Sequence, residues 1–138
     1  MARIPIPSRA SLKCYDCEGR QRFLLKTTEF STAPNVELLE RIGHDSVRVY
    51  YDVGNSNSRG YDVAGEIRFL KDRIACFHFK DRDRYLGEGS IQFEPIAAAI
   101  KTIGYCGWIV METANPSQDP VADAQRNGTY IRRLFGLG

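Results

Sequence analysis

The sequence predicts an α/β fold with parallel strands, and three observations carry that prediction. Short β-rich runs alternate with stretches of apolar residues at helical spacing, and the pair repeats four times from Arg22 onward. Each pair is separated by a loop holding Gly, Asn or Asp. The chain of 138 residues, 43% hydrophobic and 26% charged, is long enough to bury one core and too short for two.

The elements follow in order. Met1 to Gln21 shows neither a strand nor a helix period and carries Pro5, Pro7, Ser8, Ser11 and Gly19, so residues 1–21 read as an irregular arm before a domain over 22–138. The first unit pairs Phe23-Leu24-Leu25 with Val36, Leu38, Leu39 and Ile42, and Gly43 ends its helix. The second opens on Val47-Arg48-Val49-Tyr50-Tyr51, whose β-branched and aromatic content suits a strand. A polar loop from Asn55 to Asp62 is then expected before a helix carrying Val63, Ile67 and Leu70. The third pairs Ile74-Ala75-Cys76-Phe77-His78-Phe79 with Phe93, Ile96, Ala97, Ile100 and Ile103, stopped at Gly104. The fourth pairs Trp108-Ile109-Val110-Met111 with a helix opened by Asp119 and Pro120 and closed by Tyr130, Ile131, Leu134 and Phe135.

Composition narrows the function classes. Nineteen basic against seventeen acidic residues leave a net charge of +2, too balanced to favour nucleic acid as a partner. No apolar run reaches a membrane span and the N-terminus lacks a secretory layout, so a cytoplasmic, membrane-free protein is expected. Cys14 and Cys17 have the C-x-x-C spacing of a metal or redox pair, but no second such pair completes a tetrahedral site. Cys76 and Cys106 read as small buried hydrophobes. Asn127-Gly128-Thr129 is a formal glycosylation sequon that carries no meaning without a secretory signal.

In parallel α/β folds the reactive side chains gather at the C-terminal ends of the strands. Here those ends hold Asp52, then His78 with Lys80 and Asp81 beyond it, then Glu112. Taken singly, such an Asp is more often a cap and such a His a satisfied core residue. Three of them at the same point of successive repeats make a carboxylate–imidazole–carboxylate set suited to Mn²⁺, Co²⁺, Zn²⁺ or Fe²⁺, with Mg²⁺ less favoured. Glu112 has a second possible role, moving a proton to or from the carbon beside a carbonyl. Arg84 offers a planar fork to a hydroxyl or phosphate oxygen, or is a solvated surface residue. Gly87-Glu88-Gly89 offers the backbone of a closing loop.

Tyr50-Tyr51-Asp52-Val53-Gly54-Asn55, His78-Phe79-Lys80-Asp81, Leu86-Gly87-Glu88-Gly89 and Gly104 to Glu112 together resemble, in order and spacing, the signatures of the xylose isomerase-like sugar phosphate isomerases and epimerases. The resemblance runs from Leu24 to Gly136. It implies a (β/α)₈ barrel, of which this chain matches the second half with about four βα units. It also implies one divalent metal held by Glu, Asp, His and Glu, and an ene-diolate mechanism in which two glutamates move protons. Carried over, Asp52 and His78 are metal ligands, Glu112 is ligand and acid/base, and Arg84, Lys80 and Asn55 contact substrate, with Asn55 standing where many members have histidine. The place of the first glutamate holds Lys26 or Thr27, and a cation there repels a metal; Glu29 stands close by as a substitute if the strand end bulges.

A full barrel needs about 250 residues. A half leaves bare edges and an open interior, so a homodimer that completes or covers it is expected, with the arm as a further cover. Two functions follow from the resemblance. One is an aldose–ketose isomerase or ketose 3-epimerase acting on a sugar or sugar phosphate. The other is a non-catalytic half-barrel that dimerises and binds a metal or sugar without turnover. A metal-dependent DNA-repair nuclease, which also occurs on this type of barrel, is disfavoured by the near-neutral charge.

Overall fold

The β-branched and aromatic runs become strands, and their neighbours in sequence become neighbours in space. The computed structural model describes residues 13–16, 18–27, 32–112 and 114–137. Its strands β2 (Gln21–Lys26), β3 (Val47–Asp52), β4 (Ile74–Phe79) and β5 (Trp108–Met111) are parallel and lie side by side in that order. The helices α1 (Thr32–Ile42), α3 (Val63–Leu70), α4 (Phe93–Thr102) and α5 (Pro120–Phe135) each follow one of them. Four βα units in unbroken spatial order form a half-barrel of the (β/α)₈ type.

Period two along each strand splits the sheet into two faces. Val49, Tyr51, Phe77 and Phe79 point towards the helices, where Ile67, Leu70, Phe93, Ile96 and Ile100 meet them in one fully buried core. Phe77 sits edge-on to Tyr51 and Tyr105, with ring centroids 5.9 and 4.8 Å away. Burying each such side chain contributes about 1.5–3 kcal/mol. The other face holds a small cluster of Leu24, Tyr50, Ala75 and Cys76 with Cys14 against it. On β5 it leaves Trp108 66% and Val110 43% exposed.

The caps are the expected ones. Gly43, at φ +61°, takes the left-handed turn that ends α1 and donates its N–H to Leu39 O at 2.9 Å. The Asp119 carboxylate accepts from the N–H groups of Val121 and Ala122 at the start of α5. No helix among the described residues is long and apolar enough to cross a membrane.

Four expectations need correction. The arm is not wholly irregular: Lys13–Tyr15 forms β1, antiparallel to β2, and so covers the outer edge of β2. The polar segment after Asp52 is not all loop, because α2 (Val53–Ser58) forms on the Asp52 cap and buries Val53 and Ser56. Gly87-Glu88-Gly89 is no loose flap: the buried Asp81 carboxylate accepts from the backbone N–H of Gly87, Gly89 and Ser90. Cys106 is exposed rather than buried, since it lies in the turn between α4 and β5 instead of inside either. Cys17 lies outside the described residues. The sequon asparagine is closed to modification, for Asn127 is 1% exposed and its Oδ1 accepts from Leu86 N–H.

Candidate active site at the strand ends

Parallel register brings the strand-end residues together. Asp52 lies beside His78, and His78 beside Val110, so Glu112 emerges one side-chain repeat beyond His78 on the same face. Glu112 N–H donates to Phe79 O at 2.9 Å, which carries the pairing of β4 and β5 past the end of β5. Lys26, the last residue of β2, lies beside Tyr50, one repeat short of Asp52.

His78 bridges the two carboxylates. Its Nδ1 is 2.8 Å from Oδ2 of Asp52 and its Nε2 is 3.2 Å from Oε2 of Glu112. Lys80 lies across the same pair, with Nζ 3.1 Å from Asp52 Oδ2 and 3.6 Å from Glu112 Oε2. The Lys26 ammonium approaches Asp52 Oδ2 at 3.3 Å and stands 5.5 Å from the centre of the Tyr50 ring. That ring packs against His78 at 5.2 Å. Asp52 is fully buried, whereas the Glu112 side chain is 60% exposed.

Local backbone chemistry holds this arrangement. Asp52 N–H donates to Thr27 Oγ1 at 2.8 Å, and Asn55 N–H donates to Asp52 Oδ1 at 2.9 Å. The Asn55 side chain turns back to donate to Thr27 O at 3.2 Å. Gly54 makes room for the Lys80 stem, because a Cβ there would collide with Lys80 Cγ. Beside this point Gly54, Asn55, Asn57, Lys80, Arg82 and Ser90 line a cavity of about 270 Å³.

The electrostatics follow from burial and contacts. Burial alone raises the Asp52 carboxyl, but the hydrogen bonds from His78 and Asn55 and the charge of Lys80 outweigh it and lower its pKa to about 2. Burial, and then the negative charges around it, push the Tyr50 phenol up to about 12. Cys76 is likewise pushed up to about 12 by burial, which makes it an inert core thiol.

The structure thus unites Asp52, His78, Lys80 and Glu112, and it adds Lys26 and Tyr50, which strand periodicity places on the same face. Thr27 is a backbone anchor rather than a ligand. Asn55 reaches the rim, with its amide committed to Thr27. Arg84 is not brought in: it is exposed on the loop after β4, and among the described residues no hydrogen bond or ion pair joins it to the cluster. Glu29 lies outside the described residues.

The donor types suit a divalent cation, but their arrangement does not. Two ammonium groups and His78 already occupy the carboxylates. Among the described residues no group of three His, Cys, Asp or Glu side chains is placed to hold a metal ion. Asp52, His78 and Glu112, expected as metal ligands, are joined here to one another and to Lys26 and Lys80 by ion pairs, and both lysines reach Oδ2 of Asp52.

A half-barrel with charged side chains gathered at the C-terminal ends of its parallel strands belongs to the (β/α)₈ class of scaffolds, where ligands meet those ends. A family model described as the xylose isomerase-like TIM barrel matches residues 20–134, and the chain belongs to that family. It is 33% identical over 88 residues to the putative L-ribulose-5-phosphate 3-epimerase SgbU of Escherichia coli K12, covering 54% of this chain and 31% of that protein. It is 27% identical over 99 residues to the L-ribulose-5-phosphate 3-epimerase UlaE of Salmonella paratyphi C, covering 66% and 35%. The chain therefore spans about a third of the length of these curated relatives. Among solved structures, an L-ribulose 3-epimerase superposes with a TM-score of 0.72 at 21% identity, over 84% of this chain and 47% of that one. A D-allulose 3-epimerase from Methylomonas sp. gives 0.73 at 19%, over 82% and 48%.

Proposed function

We propose that the chain acts on a sugar or sugar phosphate as an isomerase or epimerase, with the ligand lying across the C-terminal ends of β2 to β5. The observation that carries this reading is Glu112: a carboxylate more than half open to solvent, fixed at its inner oxygen by His78 and Lys80. A carboxylate held in this way can take the proton from the carbon beside a carbonyl and return it. The Lys26 and Lys80 ammonium groups then donate to the oxygens of the ligand, and His78 transmits the fixed position of Asp52 to Glu112. Tyr50 shields one side of the pair from water.

The names of the relatives support the substrate class, pentulose phosphates and ketoses. A second copy of the chain, or a further polypeptide, supplies the remaining strands under this reading. Light scattering tests the first of these against the 15.6 kDa chain mass, with a particle of about twice that value expected.

Incubation of the full chain with ketoses and ketose phosphates in D₂O, followed by ¹H NMR, tests the chemistry. Exchange of the proton beside the carbonyl is expected, and Glu112→Gln should slow it by at least about 100-fold. Exchange that survives the substitution, or no exchange with any member of the panel, overturns the catalytic reading. Saturable binding without exchange selects a second reading, a sugar-binding half-barrel without turnover. That reading is favoured by the Lys26–Asp52 ion pair and by Glu112 being the one glutamate of the cluster among the described residues.

A further inference from the structure

We infer that the Lys26 ammonium takes the place of a divalent cation at this site, so that the pocket meets the oxygens of its ligand with a fixed organic charge and works without metal. The ligand class rests on the function proposed above, but the charge arrangement stands by itself.

An ionised carboxylate offers about four lone-pair positions. At Asp52 the groups crowd one oxygen: His78 Nδ1, Lys80 Nζ and Lys26 Nζ all lie at Oδ2, while Asn55 N–H donates to Oδ1. Entry of a metal at Oδ2 requires one of its three neighbours to leave. The backbone N–H is fixed by the turn into α2, and the imidazole is wedged between Tyr50 and both carboxylates. The lysines are the movable donors, and either one displaced by a short distance leaves a positive charge beside the incoming dication.

Charge balance points the same way. Two carboxylates, Asp52 and Glu112, face two ammonium groups, Lys26 and Lys80, so the cluster is already compensated without an external ion. Of the two, Lys26 is the one suited to the role of the cation. Lys80 is shared by both carboxylates, whereas among the described residues Lys26 is ion-paired with Asp52 alone, and it keeps 33% of its side chain open. An ammonium has three donors; Asp52 engages one, and the open side presents the others to a carbonyl or hydroxyl oxygen. The ammonium also lies over the Tyr50 ring, 5.5 Å from its centre.

The test uses the metal alone. Metal-stripped wild type, Lys26→Glu and Lys26→Met are titrated with MnCl₂ in a calorimeter, after circular dichroism and melting confirm that each is folded. Wild type should show no saturable binding up to about 1 mM, and Lys26→Glu should bind one Mn²⁺ at least about tenfold more tightly than wild type. Lys26→Met, which removes the charge and keeps the length, should move in the same direction and carries the test if the glutamate variant does not fold. Micromolar binding of Mn²⁺ by wild type that disappears in Asp52→Asn overturns the inference. So do folded variants at Lys26 that bind Mn²⁺ no better than wild type. No sugar is present in these titrations, so a failure of the proposed activity leaves their outcome untouched.

Discussion

The two faces of the sheet use the same strands for opposite ends. On the helix side, Tyr51, Phe77 and Phe79 are fully buried and pack edge to face, and the Tyr51 phenol donates to Glu66. On the other side, alternate residues of the same strands give Lys26, Asp52 and His78, and β5 leaves Trp108 and Val110 exposed. One face holds the fold together through apolar area, and the other holds charge in a fixed pattern. Substitutions on the first face should therefore act on stability alone. Those at the strand ends should act on charge, on acid sensitivity and on ligand.

The largest effect expected is on the packed face. Phe77→Ala removes a ring that touches Tyr51, Phe79 and Tyr105, and should destabilise by about 3–5 kcal/mol in urea denaturation. A loss under about 1 kcal/mol would place Phe77 outside the core and break the contrast between the faces.

The next effect is at the strand ends and has a sign in pH. The Asp52 pKa in the folded chain is about 2, below its ordinary value of 3.8. Its contribution, about 2 kcal/mol, is therefore complete above the ordinary value and is lost as pH falls from about 4 towards 2. Denaturant melts over that range should show the loss in wild type, and Asp52→Asn should flatten it. An Asn variant with an unchanged acid limb would mean that other carboxylates govern it.

The smallest effect lies away from both faces. Asp119→Ala leaves two N–H groups at the start of α5 without their acceptor and should cost about 1 kcal/mol in thermal or urea melts, with no change in ligand affinity.

The strands were the most legible part of the sequence, because their β-branched and aromatic runs are short, distinct and bounded by turn residues. Helices α1, α3, α4 and α5 were legible from apolar spacing and caps such as Gly43 and Asp119. Helix α2 was not: Gly54, Asn55, Ser56, Asn57 and Ser58 are poor helix formers, and the turn exists because Asp52 caps it and Val53 and Ser56 are buried. Strand β1 is three residues long, too short to show a period. At the site, Asp52, His78 and Glu112 were visible as the ends of successive strands, since register follows from chain order in a parallel sheet. Their use was not visible, because it depends on where two long lysine side chains lie. Lys26 announced a departure at the end of β2, but only the three-dimensional arrangement shows its ammonium on the Asp52 oxygen. Arg84 looked equivalent to Lys80 in sequence, yet it falls on the exposed part of the loop.

The strand-end cluster is the proposed ligand site, and its most direct test is NMR titration of the full chain with a ketose phosphate. Saturable shifts should appear at the His78 ring and at the Lys26 and Lys80 side chains, and should disappear in Glu112→Gln or Lys80→Met. Shifts confined to another region, such as the loop where Tyr85 stacks under Arg126, or no shifts at any concentration, would contradict it.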